Sequence, residues 1–257
     1  MKHTQWDIFC EFRDTFKKQC QEWNTSFQDV LQPLQRAVAI DTPYYPVETS
    51  VVYNNSLNDV QPEDDIKAII IGDNPGKDEQ RSYNRRYLVG QSGKIAASFY
   101  AKNPELGIDF RKNTIILNKT PVHTAKTIHL RSLAKGNSAV SKLIVDSQVW
   151  MAKKTAALHQ QLLAASCSDS LPCELHIVGY GELKNKGIFI PYRDALHAAY
   201  KENPQAWESV RVYQHYSMNR FSIDLKSFAE KNNISELPLA EQLAAVGKFH
   251  RDEIFPL

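Results

Sequence analysis

Four short apolar runs, each cut off by glycine or polar residues and followed by a stretch long enough for a helix, decide what this chain can fold into. They are IKAIIIG (66–72), NTIILNKT (113–120), CELHIVGYG (173–181) and VRVYQHYS (210–217). Ile, Val and Leu fill them without strict alternation, the pattern of strands covered on both faces. Between them lie SGKIAASFYAKN, SKLIVDSQVWMAKKTAALHQQLLAAS and YRDALHAAYKEN. Parallel strands need crossovers of that length, because a hairpin joins only antiparallel neighbours. The pattern predicts an α/β protein, a three-layer α/β/α sandwich around a central four-stranded parallel sheet. The 257 residues, 42% of them hydrophobic, suffice for one such domain with its own core. Helical character before about residue 45 and after about residue 225 predicts an N-terminal extension and a C-terminal tail.

Composition narrows the setting. Cys10, Cys20, Cys167 and Cys173 show no CxxC pairing, so neither a zinc ribbon nor a disulfide framework is expected. The segment MKHTQWDIFCEF has no signal-peptide core, and no apolar run approaches the roughly 18 residues of a membrane span. A soluble, cytoplasmic monomer without metal or organic cofactor is the expectation. The formal charge of +2 hides an asymmetry: residues 77–154 hold fifteen Lys or Arg against five Asp or Glu, leaving −8 for the rest. Such a basic stretch suits a polyanionic partner such as DNA, or else a solvated face that balances acidic helices elsewhere.

In an open parallel sheet the carboxyl ends of the strands share one edge, and ligands bind where the connections diverge. Asp73, Asn74, Pro75 and Gly76 follow the first run; Asn118, Lys119 and Thr120 close the second; Gly181 and Glu182 follow the third; His215, Tyr216 and Ser217 close the fourth. Nucleotide loops fit poorly here. Three residues separate Gly72 from Gly76 where a Walker loop has four, and Asp78 stands where magnesium needs Ser or Thr. VGQSGKI (89–95) is also too short, and no GxGxxG closes the first strand.

GDNPG (72–76) and HYS (215–217) resemble the first and second motifs of the uracil-DNA glycosylase superfamily, after the first and last strands respectively. Asn118 of IILNKT is similar to that family's base-reading asparagine, and VGQSG (89–93) and VGYGELKNKG (178–187) resemble its loop and third-strand segments. PVETSVVYNNSL (46–57) looks like the entry segment of the single-strand-selective monofunctional branch, which also has asparagine third in its first motif. The iron-sulfur branch shares the Gly-acid start and the VGxxG loop, but the cysteines here do not match its cluster ligands. The ordered set spans roughly residues 46–221. Tyr216 departs from the usual proline, Met218-Asn219-Arg220 departs from the usual loop, and Leu88 preceded by Tyr87 stands near the stacking phenylalanine of the iron-sulfur branch.

What the resemblance implies is a monofunctional DNA glycosylase that removes uracil or another deaminated base from DNA, in base excision repair. His215 would donate to the base O2 as negative charge gathers there. Asn118 would read the N3 and O4 edge, with Tyr87 and Gly76 also against the base and Tyr83 a second candidate stacker. Asn74 would position water, with Asp73 as its chemical rival. Ser92, Lys94, Lys119, Ser217, Met218 and Arg220 would contact DNA, with Met218 or Phe221 as a wedge. A catalytically silent nucleic-acid-binding protein on the same fold and a hydrolase of free nucleosides or nucleotides are the alternatives.

Overall fold

The computed structural model describes residues 1–166 and 172–255. Its sheet has four strands, β1 (Ala68–Gly72), β2 (Thr114–Asn118), β3 (Glu174–Val178) and β4 (Val210–Tyr213). All pair in parallel, in the order β2-β1-β3-β4. Every residue of β1 and β2 is buried, so both faces of the sheet are covered. That is why these segments carry no polar alternation.

Among the described residues there are eight helices: α1 (His3–Val38), α2 (Gln91–Lys102), α3 (His129–Gly136), α4 (Ser138–Ala164), α5 (Ile190–Tyr200), α6 (Pro204–Trp207), α7 (Arg220–Lys231) and α8 (Leu239–Ile254). α1 places Phe9, Phe12, Phe16 and Cys20 on one stripe at helical spacing and buries it against the domain. It packs on α3 and α4, so the N-terminal helix belongs to the sandwich. The Asn137 side chain accepts from the Ala139 and Val140 amides, which separates α4 from α3 where a single helix would otherwise continue. α8 lies directly on β4; a Cβ on Gly247 would stand 2.8 Å from Arg211 and Tyr213 side-chain atoms. No helix among the described residues is long and apolar enough to cross a membrane. Cys10, Cys20 and Cys173 are free thiols, while Cys167 falls outside the described residues.

Strand order places the site. The chain leaves β1 toward β2 on one side and leaves β3 toward β4 on the other, so the connections diverge between the carboxyl ends of β1 and β3. In-register pairing of Gly72 with Asn118, Ile71 with Ile177 and Val178 with Tyr213 brings all four ends to one edge.

Candidate functional site

A cleft of ≈ 670 Å³ opens at that divergence point. Asp73 and Asn74 from the β1 end, Asn118 from β2, Gly179 and Glu182 after β3, and His215 and Ser217 after β4 all line it. The four side chains singled out from strand-end logic, Asp73, Asn74, Asn118 and His215, therefore share one cavity.

The floor of the cleft is an ion pair with no contact to solvent on its cationic side. Lys119 Nζ lies 2.6 Å from Asp73 Oδ1, also donates to the carbonyls of Val178 and Gly72, and sits 4.8 Å from the Phe189 ring centroid. Burial pulls the Lys119 ammonium below the usual lysine value, and the Asp73 charge opposes that fall. One side chain thus ties together the ends of β1, β2 and β3. Gly179 makes room for it: at φ +92° it occupies left-handed backbone, and a Cβ there would fall 2.3 Å from Asp73 Oδ1.

The turn after β1 is held from the other wall. Asn74 Nδ2 donates to Thr124 Oγ1 (2.8 Å) and to Val122 O (3.2 Å), which spends both amide hydrogens and leaves Oδ1 as the free acceptor. Pro75 O accepts from the Thr124 amide and lies 2.9 Å from His123 Nδ1, while His123 Nε2 meets the Tyr45 hydroxyl at 3.0 Å. Burial pushes His123 down to about 4, so this brace is a neutral imidazole.

Asn118 is 2% exposed and lies over the end of β1, where a Cβ on Gly72 would come within 2.4 Å of its Oδ1. Its Nδ2 is buried with no hydrogen-bond partner among the described residues. An orphaned buried amide nitrogen on a cleft wall is a donor kept for something that enters. His215 supplies a second donor. The Ser217 amide donates to His215 Nδ1 (3.1 Å), which makes Nδ1 an acceptor and puts the ring proton on Nε2. Ser217 Oγ stands 2.8 Å from the same nitrogen. Burial holds the imidazole below the usual histidine range; Asp73 acts against that shift and Lys119 with it. The cleft therefore offers two donors, one carboxamide acceptor and a carboxylate whose second oxygen, Oδ2, faces Thr127 at 3.4 Å.

Gly76, Ser92, Ser217, Met218 and Arg220 also line the cleft. Several other expectations need correction. Lys119 is 0% exposed and cannot grip a phosphate, because its three donors are spent inside the sheet. Tyr87 is fully buried with its hydroxyl on Val52 O, so it stacks on no ligand in the cleft; its neighbour Leu88 lines the wall instead. Phe221 is 3% exposed among Phe99, Tyr213 and Tyr216, which rules it out as a wedge. Tyr216 joins that aromatic cluster, so its replacement of proline serves packing. Lys94 borders a neighbouring groove with Gln91 and Phe99. Tyr83 is 77% exposed and stands outside the cleft.

Glu79 was not singled out, yet it is buried on the cleft wall, where burial pushes its carboxyl up to about 7 against the pull of the Gly76, Leu88 and Val89 amides. Nothing in its sequence neighbourhood marks it; KDEQR reads as a solvated turn. Thr124, Thr127 and His123 were likewise missed, although PVHT directly follows the Asn118 segment. Among the described residues no group of three or more His, Cys, Asp or Glu is placed to hold a metal. Comparison with protein-family models, curated proteins and solved structures finds no match for this chain.

Proposed function

We propose that this chain has a uracil-DNA glycosylase-type fold and hydrolyses the N-glycosidic bond of uracil or another deaminated base in DNA. The observation that carries this reading is the unpartnered, buried Asn118 amide opening on the same cleft as the free His215 Nε2–H and the free Asn74 Oδ1. The reaction needs these three functions. Breaking the C1′–N bond sends the electron pair to the base, and a neutral imidazole donor at the base carbonyl stabilises that charge as it develops. Asn118 pairs with an adjacent donor and acceptor on the base edge. Asn74 orients the water that adds to C1′, and the proton it sheds ends on the released base through solvent. Asp73 keeps Oδ2 toward the positive sugar while Oδ1 stays on Lys119.

A catalytically silent nucleic-acid-binding protein is the second reading. The observation in its favour is Lys119 itself, which neutralises the carboxylate best placed to assist hydrolysis. Protein in excess over labelled oligonucleotides containing uracil, hypoxanthine or xanthine, followed by alkaline cleavage of abasic sites, separates the two. Base release that falls about 10²- to 10³-fold in His215→Ala, the usual cost of a lost charge-stabilising donor, and falls again in Asn74→Ala supports the glycosylase. No release from any substrate overturns it.

A further inference from the structure

We infer that the face formed by segments 44–49 and 77–85, beside the cleft, is a stacking platform for unpaired nucleotides, so that the substrate is a single-stranded region of DNA. This rests on the proposed function for the cleft and adds the state of the strand that enters it. Two independent observations carry it.

The first is the cleft lining. Among the described residues no Phe, Tyr or Trp lines it. Extruding a base from a duplex costs a few kcal/mol, which stacking inside the pocket normally offsets, and the cost is least when the base is already unpaired. A pocket walled by Leu88, glycines and polar side chains supplies little of that compensation.

The second is where the exposed aromatic rings are. Tyr83 is 77% and Tyr44 93% exposed. They rise from two segments bound tightly to each other: the Gln80 side chain accepts from the Glu48 and Thr49 amides and donates to Pro46 O, and Glu48 accepts from the Ser82 amide. The Arg81 guanidinium lies 5.5 Å from the Tyr83 centroid and is itself held by Glu48 at 3.0 Å. The Tyr83 ring is thus exposed yet braced from behind. The same face borders the cleft, since Asn84 Nδ2 donates to the carbonyl of cleft-lining Asp78 and Tyr45 braces His123. Lys77 and Arg85 form no ion pair among the described residues, while Asp78 is the exposed acid of this turn. Braced rings interleaved with free cations form the surface that tracks single strands without reading sequence.

The rival occupant is a duplex, with Met218 as its wedge; that residue is 70% exposed at φ +53° on the opposite rim. Fluorescence anisotropy with a labelled deoxyoligonucleotide carrying a stable abasic analogue, alone or annealed, decides between them without any need for catalysis. Wild type should prefer the unpaired strand. Tyr83→Ala should weaken that binding about 5- to 100-fold, the span for loss of one base–aromatic stack, with duplex binding and the salt slope unchanged, and Tyr83→Phe should retain it. Full-strength binding in both Tyr83→Ala and Tyr44→Ala overturns the inference, as does duplex preference that Met218→Ala abolishes. Both tyrosines are exposed, so neither substitution threatens folding. Uracil and hypoxanthine release measured on the same strands keeps the questions apart. Loss of binding in Tyr83→Ala with no release by wild type leaves the platform and sinks the glycosylase; release with undisturbed binding does the reverse.

Discussion

Replacing Lys119 with methionine keeps an unbranched side chain of similar length and deletes the charge on which the cleft floor is built. Three partners lose their donor at once: Asp73 Oδ1 at 2.6 Å, Gly72 O at 3.3 Å and Val178 O. The Lys119 side chain is 0% exposed and that of Asp73 12%, so water cannot substitute freely. Removing one partner of a buried pair costs about 3–5 kcal/mol, because the other is left desolvated and unpaired. Each orphaned carbonyl adds about 1–3 kcal/mol before relaxation, which places Lys119→Met near the upper end of that range. Lys119→Met/Asp73→Asn removes the stranded charge and should recover about 2 kcal/mol, the scale of coupling between contacting residues. Urea unfolding reads all four forms, and the midpoints should move at constant m. A Lys119→Met variant within about 1 kcal/mol of wild type would refute the reasoning, since mutations of that size need no buried charge to explain them. The same variant should leave the salt dependence of oligonucleotide binding unchanged, whereas Lys77→Ala and Arg220→Ala should each lower the slope by about one.

Two further outcomes follow from the braces around that floor. His123 and His159 are pushed down to about 4 by burial, below the ordinary 6.5, so the stability they contribute is complete above 6.5 and is lost as pH falls from there toward 4. Glu79, pushed up to about 7 from 4.5, acts in the opposite sense: its stabilisation is complete below 4.5 and disappears as pH rises through 7. Two groups outweigh one, so the urea midpoint should drop between pH 6.5 and 4, and His159→Gln should flatten that drop. Gly179→Ala should cost about 2–4 kcal/mol, combining left-handed strain with displacement of Asp73, while Gly181→Ala, whose Cβ meets open space, should stay within about 0.5 kcal/mol. Thermal unfolding of the pair checks this.

Much of the fold was legible because buried parallel strands leave a compositional trace. The runs 66–72, 113–120, 173–181 and 210–217 each contain an observed strand and overshoot it only into the polar residues that follow. Those overshoots were the site itself, because a parallel sheet delivers whatever terminates its strands to one edge. The orientation of individual side chains was not legible. Tyr87 and Tyr83 look alike in RRSYNRRYLVG, yet one is sealed beneath Val52 O and the other is exposed at the rim. Lys119 and Lys77 both read as free cations after a strand. Only the positions of neighbours on other strands decide that Lys119 turns inward, and those neighbours lie 46 and 59 residues away along the chain. Lys119, Asp73 and Gly179 are therefore one unit distributed over three strand ends: the ammonium needs the carboxylate, and the carboxylate occupies the space that only a glycine leaves empty. A Lys119→Met/Asp73→Asn background removes the charge and keeps the shape, so Gly179→Ala should cost nearly as much there as in wild type. A cost that collapsed with the ion pair would show instead that glycine is required by charge and not by space.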